Sequence, residues 1–390
     1  MELSAQEQKM FDGESGEAAR QSMEILVALG KIYGAKRTVS ITSAQIAGVS
    51  YKTIGEAGLS YLNDMAKNGA KVRVPSFLNP AGMDREQWKE MKVPAAFAEK
   101  QLEVLAAYAK MGIAQSCTCT PYLVGIRPKV GEHVAWSESS AVVFCNSVLG
   151  ARTNREGGPS ALAAAICGAT PEYGYHLDEN RVCDFAAHVE CPLSSSTDFG
   201  ALGAYVGGAS KGKNVAFTGI KAASDDRLKA LGASMAAWGS NALFNMKGVT
   251  PEFSVAEKPE KITIGKKEIS EMKAKMGLPE RPQIVAIGCP HASLDEISEV
   301  ASLVKGKKVA CELWVCTARQ TKEKADKAGF TETIAQAGGR VVADTCMVVC
   351  PLEDMGFHIT ACNSGKAAKY LQTLQKQKVI FGDIEDIIFR

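Results

Sequence analysis

The chain has no Cys-x-x-Cys pair, although it carries 12 cysteines in 390 residues. A zinc ribbon, a thioredoxin-type motif and a ferredoxin-type cluster all need that spacing, so none is expected. Histidine is scarce, at five residues, which disfavours a zinc hydrolase built on imidazole ligands. No uncharged apolar run reaches the length of a membrane span. Net charge is only +2, and aromatics are not interleaved with basic clusters, so no nucleic-acid surface is expected. The start, Met1-Glu2-Leu3-Ser4-Ala5-Gln6-Glu7, is polar and acidic, unlike a signal peptide. There is no sequence repeat and no low-complexity segment. Together these absences lead to the expectation of a cytoplasmic protein with neither nucleic-acid nor membrane partners. In a reducing cytoplasm the cysteines form no disulfide framework. They are expected to be packed thiols plus a few ligands that the fold brings together.

What is present is a long run of strand, loop and helix. The length suggests two or three domains. Residues Met1–Tyr33 read as helical. Strands are expected at Thr38–Ile41, Lys71–Val74 and His133–Trp136, and a long helix at Ala95–Met111. Later strands are expected at Ala187–Cys191, Asn214–Thr218, Ala242–Lys247, Gln283–Gly288, Lys308–Val315, Arg340–Ala343 and Val379–Phe381. This repetition predicts an α/β fold of βαβ units, with ligands bound at the carboxyl ends of strands. Residues 1–255 are expected to form one α/β region and residues 283–390 another. The charged stretch 256–282, with Pro259, Pro279 and Pro282, is expected as a junction. Gly200, Gly203, Gly207 and Gly208 have the spacing of close helix packing.

The segment Ser116-Cys117-Thr118-Cys119-Thr120-Pro121-Tyr122 places two thiols one residue apart beside a proline, without charge. It suits a loop that holds a soft metal. Cys289 and Cys346 each fall at or just after the end of an apolar strand. With Cys119 they make a three-thiolate set from three separate loops. Cys145, Cys167, Cys311 and Cys316 lie inside predicted helices or strands, where packed thiols are commoner than ligands. Three thiolates on a 4Fe-4S cluster leave one iron free to act as a Lewis acid on a hydroxyl. With a base over the carbon next to a carboxylate, that completes a dehydration. The same three ligands also allow a 2Fe-2S or 3Fe-4S group. Arg152-Thr153-Asn154-Arg155-Glu156-Gly157-Gly158-Pro159-Ser160 precedes a helix and suits an anion, or else is a tight turn with solvated arginines.

Six segments resemble the aconitase X family, a divergent branch of the aconitase superfamily. They are Cys117-Thr118-Cys119-Thr120-Pro121-Tyr122, Trp136-Ser137-Glu138-Ser139-Ser140, Asn146 to Gly158, Pro171-Glu172-Tyr173-Gly174-Tyr175-His176, Gly288-Cys289-Pro290-His291 and Asp344-Thr345-Cys346. The resemblance runs from about Ile41 to Lys366. It implies the large catalytic part of the aconitase-like fold and an iron–sulfur cluster, 4Fe-4S, on Cys119, Cys289 and Cys346. Cys117 is the rival for the first place. Substrate contacts are implied at Gly48, Val49, Ser50, Asn79, Pro80, Glu138, Ser139, Ser364, Gly365 and Lys366. Glu138 and Ser139 also suit a plain helix start, and Lys366 a solvated first-turn lysine.

Proteins of this family carry a swivelling domain whose serine is expected to act as the base. Residues 367–390 are too few to supply one. The chain is therefore expected to be a large subunit with a small-subunit partner. The implied activity is removal of water from (R)-5-phosphomevalonate, a small anionic substrate, to give trans-anhydromevalonate 5-phosphate in an archaeal-type mevalonate pathway. Arg152, Arg155 and Lys366 favour the phosphate. Dehydration of cis-3-hydroxy-L-proline is the alternative within the family. A non-catalytic iron–sulfur or zinc-binding scaffold is the alternative of another class.

Overall fold

Three parallel sheets and one short antiparallel pair organise the chain, which a computed structural model describes over residues 1–277 and 280–390. Pro279, named with the junction, lies outside the described residues. The first region holds α1 (Ala5–Phe11), α2 (Glu17–Ile32), β1 (Thr38–Ser40), β2 (Ala44–Ile46), α3 (Tyr51–Lys67), β3 (Ser76–Leu78), α4 (Ala95–Lys110), β4 (Ala135–Trp136), α5 (Ser139–Ser147), α6 (Gly158–Cys167) and β5 (Ala169–Pro171). Its sheet has the parallel order β3-β2-β4, while β1 and β5 pair antiparallel.

The second region holds β6 (Cys183–Val189), α7 (Ser196–Ser210), β7 (Val215–Thr218), α8 (Asp225–Gly239), β8 (Phe244–Met246), β9 (Val255–Ile264) and α9 (Lys266–Met276). The strand order is β8-β7-β6-β9, all parallel. Helices α7 and α8 pack as closely as the glycine spacing predicts. A Cβ on Gly203 would lie 2.3 Å from the Leu231 carbonyl oxygen.

The third region holds β10 (Ile284–Ile287), α10 (Leu294–Val304), β11 (Glu312–Thr317), α11 (Arg319–Lys327), α12 (Phe330–Gln336), β12 (Gly339–Ala343), β13 (Ile359–Cys362), α13 (Gly365–Leu374), β14 (Lys378–Phe381) and α14 (Ile384–Ile388). Its five parallel strands run β12-β11-β10-β13-β14. Every residue of β10 is buried. Ile284 and Ala286 face one core, Val285 and Ile287 another. A parallel strand covered on both faces reads as an unbroken apolar run, which is why the sequence shows it plainly.

Several expected elements move. The helical stretch 1–33 is broken at residues 12–16, where Gly13 and Gly16 take positive φ. Residues Lys71–Val74 are not a strand; Val72 and Arg73 instead donate to the carbonyls of Met111 and Ala165. The strand follows, at Ser76–Leu78. Ala44–Ile46 and Ile359–Cys362, absent from the expected strands, are strands. Residues 256–282 hold most of β9 and all of α9. No helix among the described residues is long and apolar enough to cross a membrane.

Candidate active site

Six loops meet where the parallel strands of the first and third regions end. From the first region come Gly48-Val49-Ser50 after β2, Asn79-Pro80 after β3 and Ser137-Glu138-Ser139 after β4. From the third come Cys289-Pro290-His291 after β10, Asp344-Thr345-Cys346 after β12 and Asn363-Ser364-Gly365-Lys366 after β13. Ala81 stitches the two together: its N–H donates to the Asp344 carbonyl at 2.8 Å and its carbonyl accepts from Cys346 N–H at 3.3 Å. Ser50, the first residue before α3, donates its hydroxyl to the Val349 carbonyl at 2.8 Å.

The polar centre is a buried ion pair. Lys366 Nζ donates to Glu138 Oε1 and, at 3.3 Å, to Ser140 Oγ. Asn79 Nδ2 donates to Glu138 Oε2 at 2.7 Å, and Ser139 Oγ to Oε1 at 3.2 Å. Burial pushes the Glu138 carboxyl up, but Lys366, with hydrogen bonds from Lys366, Asn79 and Ser140, brings it down to about 2. Burial would lower Lys366, yet Glu138 and the neighbouring thiols hold it above the ordinary lysine value. Glu138 also caps α5 through Ser140 N–H, so its helix-start role and its place in the ion pair coexist. Lys366 is 6% exposed, which replaces the reading of a solvated lysine. Ser364 caps α13 through Ala367 N–H at 3.1 Å. Gly365 is required by crowding, since a Cβ there would sit 2.5 Å from Ser234 Oγ.

The three thiols of the expected set converge. Cys346 faces Cys289, and that neighbour together with burial holds Cys346 far above the usual thiol range. Cys119 Sγ accepts from His291 N–H at 3.2 Å. Burial pushes its pKa up to about 12, against the pull of Lys366. Cys117 is buried with φ +41° and turns elsewhere, toward Asp344, Arg85 and Arg319. Among the described residues no three His, Cys, Asp or Glu side chains close around the position of a single metal ion. Soft thiols on three loops fit a sulfur-bridged group of several metals better than one tetrahedral zinc. Asn79 Oδ1 and Tyr122 Oη are buried without a hydrogen-bond partner among the described residues. Buried polar atoms of this kind call for a bound group or water.

Family models for the aconitase X first, second and third domains match residues 1–179, 182–274 and 282–390. The chain belongs to the aconitase X family. It is 52% identical, over 99% of its length and 98% of the relative's, to the phosphomevalonate dehydratase large subunit of Methanothermobacter thermautotrophicus. It is 35% identical to the cis-3-hydroxy-L-proline dehydratase of Pseudomonas aeruginosa, of which it covers 68%. The crystal structure of Thermococcus kodakaraensis aconitase X in its holo-form superposes with a TM-score of 0.94 at 44% identity, each chain covered in full.

Not every residue singled out in this aconitase X chain lies at the centre. Arg152 is bound to Asp178 at 3.0 Å and to Glu252 at 2.7 Å. It is a structural arginine, which removes it from the argument for phosphate. His176 bonds His133 through Nδ1 at 2.9 Å, and Tyr173 stacks on Tyr33. Three arrangements were not foreseen, although His291 and Asp344 stand in the quoted motifs. Lys229 is buried against Glu296, Asp226 and the His291 carbonyl. His291 touches two other cysteine loops. Asp84, Arg85, Arg319 and Asp344 form an ion lattice beneath Cys346. Apart from Asp226, three residues before Lys229, the partners lie far away in the chain, so little local spacing marks them.

Proposed function

We propose that this chain is the large, cluster-bearing subunit of a hydro-lyase that dehydrates (R)-5-phosphomevalonate to trans-anhydromevalonate 5-phosphate in the archaeal-type mevalonate route to isoprenoids. The observation that carries it is the meeting of three thiols with a buried Glu138–Lys366 pair at the strand ends. The substrate follows the relatives: four large subunits named for phosphomevalonate are 45–52% identical over nearly their whole lengths.

Cys119, Cys289 and Cys346 would hold a 4Fe-4S cluster, with Cys117 turned away. Such a cluster, when bound, supplies one iron without a protein ligand, a Lewis acid that makes a hydroxyl a better leaving group. The remaining work belongs to side chains. Lys366 holds an anionic oxygen of the substrate. Asn79 keeps its amide N–H on Glu138 and offers its free Oδ1 to a substrate hydroxyl. Glu138 and Ser139 fix Lys366 and Asn79 in place. Gly48, Val49 and Ser50, which lead into α3, line the phosphate end of the site. Pro80, Ser364 and Gly365 shape the walls. A small subunit with the swivelling domain supplies the serine base. That base takes a proton from the carbon beside the carboxylate as the hydroxyl leaves the next carbon, so water departs and a double bond forms.

The same centre suits dehydration of cis-3-hydroxy-L-proline, and the loss of Arg152 from the phosphate argument keeps that reading in play. The test is anaerobic reconstitution with a co-expressed small subunit, followed by side-by-side assay of both substrates. Turnover of the phosphate ester alone supports the proposal, and turnover of the amino acid alone replaces the substrate. A spectrally intact cluster with no turnover of either removes both substrates and leaves the family assignment standing.

A further inference from the structure

His291 is fully buried and has no part in the chemistry described above. It stands two residues after Cys289. Its Nε2 lies 2.7 Å from the Thr345 carbonyl, in the residue before Cys346. A carbonyl only accepts, so Nε2 carries a hydrogen. Its Nδ1 lies 3.0 Å from Thr118 Oγ1, in the residue before Cys119. Thr118 Oγ1 is fixed in turn by Thr120 N–H at 3.1 Å. The His291 backbone N–H points at Cys119 Sγ itself, and Lys229 Nζ grips the His291 carbonyl at 3.2 Å. Lys229 is 3% exposed and is anchored by Glu296 at 2.5 Å and Asp226 at 2.9 Å.

One residue thus belongs to the second cysteine loop by sequence, to the first through a ring nitrogen and an N–H, and to the third through the other ring nitrogen. These loops come from chain segments more than fifty residues apart, at 119, 289 and 346. We infer that His291 is the positioning residue that ties the three cysteine loops together and fixes the separation of their thiols. It is not a ligand, because both ring nitrogens are engaged by protein oxygens. The inference rests on the reading that these thiols hold the cluster.

Two measurements on cluster-free protein test the tie directly. With only five histidines, 15N-histidine labelling can report the His291 Nε2 proton, which is expected to exchange slowly with water. A short bis-alkylating reagent is expected to bridge Cys346 to Cys289 or Cys119 in wild type and to bridge far less in His291→Ala. On reconstituted complex with the small subunit, a ferrous chelator should strip iron from His291→Ala at least about tenfold faster than from wild type. His291→Gln, which keeps a donor toward Thr345, should recover part of that loss. Thr118→Val, which removes only the hydroxyl, should lie between. Variants that keep the wild-type bridging yield, chelation rate and cluster spectrum would overturn the inference, as would a fast-exchanging Nε2 proton. If wild type takes up no iron, the dehydratase reading falls. The proton and the bridging yield then decide the tie by themselves.

Discussion

Two buried charge clusters lie side by side in this fold, and they are built on opposite plans. Around Asp84 and Asp344, both 0% exposed, every acceptor is met. Asp84 takes Arg319 Nη2 at 2.6 Å and the N–H groups of Glu86, Gln87 and Ala343. Asp344 takes Arg85 Nε at 2.9 Å and Arg319 Nε at 3.0 Å. Around Glu138 and Lys366 there is one anion and one cation, and the neighbouring Asn79 Oδ1 is left open. A saturated cluster has nothing to offer a ligand and serves to hold chain. An unsaturated one is costly to bury, and that cost makes sense where a ligand completes it.

The sharpest way to break this comparison is to remove one cation from each cluster. Arg319→Met strips both buried aspartates of a partner. It should cost about 3–5 kcal/mol of stability, as for other broken buried pairs. Thermal unfolding would read the loss, while turnover of the folded protein at low temperature should persist. Lys366→Met also strands a buried carboxylate and should cost stability too, but here the folded protein should lose turnover. Turnover should fall by about 10²–10³-fold, the usual effect of losing one charge-stabilising donor. Glu138→Gln/Lys366→Met, which removes both charges, should regain stability and still not turn over. If Arg319→Met abolished turnover in a stable protein, the lattice would belong to the active site and the comparison would fail.

A titration separates the clusters more gently. The folded Glu138 carboxyl lies at about 2, against an ordinary value of 4.5. Its contribution is therefore complete above about 4.5 and is lost as pH falls through 2, worth about 3 kcal/mol over that window. Lys366 is raised, so its contribution is complete below the ordinary lysine value and survives into alkaline solution. The pair should hold a flat stability from pH 5 to 9. The difference in melting temperature between wild type and Glu138→Gln should shrink only below pH 4.5. A difference that changed near neutrality would mean that Glu138 titrates there.

The two clusters also differ in how far the sequence revealed them. Glu138 and Lys366 stood out as members of two short motifs, and Cys289 and Cys346 as the ends of apolar strands. What sequence could not show is that Glu138 and Lys366 touch, because they are 228 residues apart. The lattice was nearly silent: Asp344 stands in a quoted motif, but Arg319 and Asp84, separated by 235 positions, do not. Elements followed the same rule. β10 was legible because both its faces are buried. β2, β3 and β13 were hidden or displaced, since strands of three or four residues carry too little pattern to separate from the loops they feed. Arg152 misled because its loop resembles an anion site, while its partners Asp178 and Glu252 come from elsewhere.

Glu156 gives the smallest and most discriminating test, since it is buried with no cation at all. Its carboxylate, 6% exposed, accepts among the described residues only from Ser160 Oγ at 2.6 Å and Thr170 Oγ1 at 3.2 Å. Burial raises it, and the two hydroxyls offset this only in part. A raised carboxyl penalises the folded state once pH passes the unfolded value of 4.5. Glu156→Gln should therefore stabilise at pH 8 and have almost no effect at pH 4. Thermal unfolding at the two pH values reads this as a melting temperature raised at pH 8 alone. A destabilised variant at pH 8 would mean that hydroxyls alone can satisfy a buried carboxylate here. The arginines around Asp84 and Asp344 would then be holding chain segments together, with charge balance a lesser part of their role.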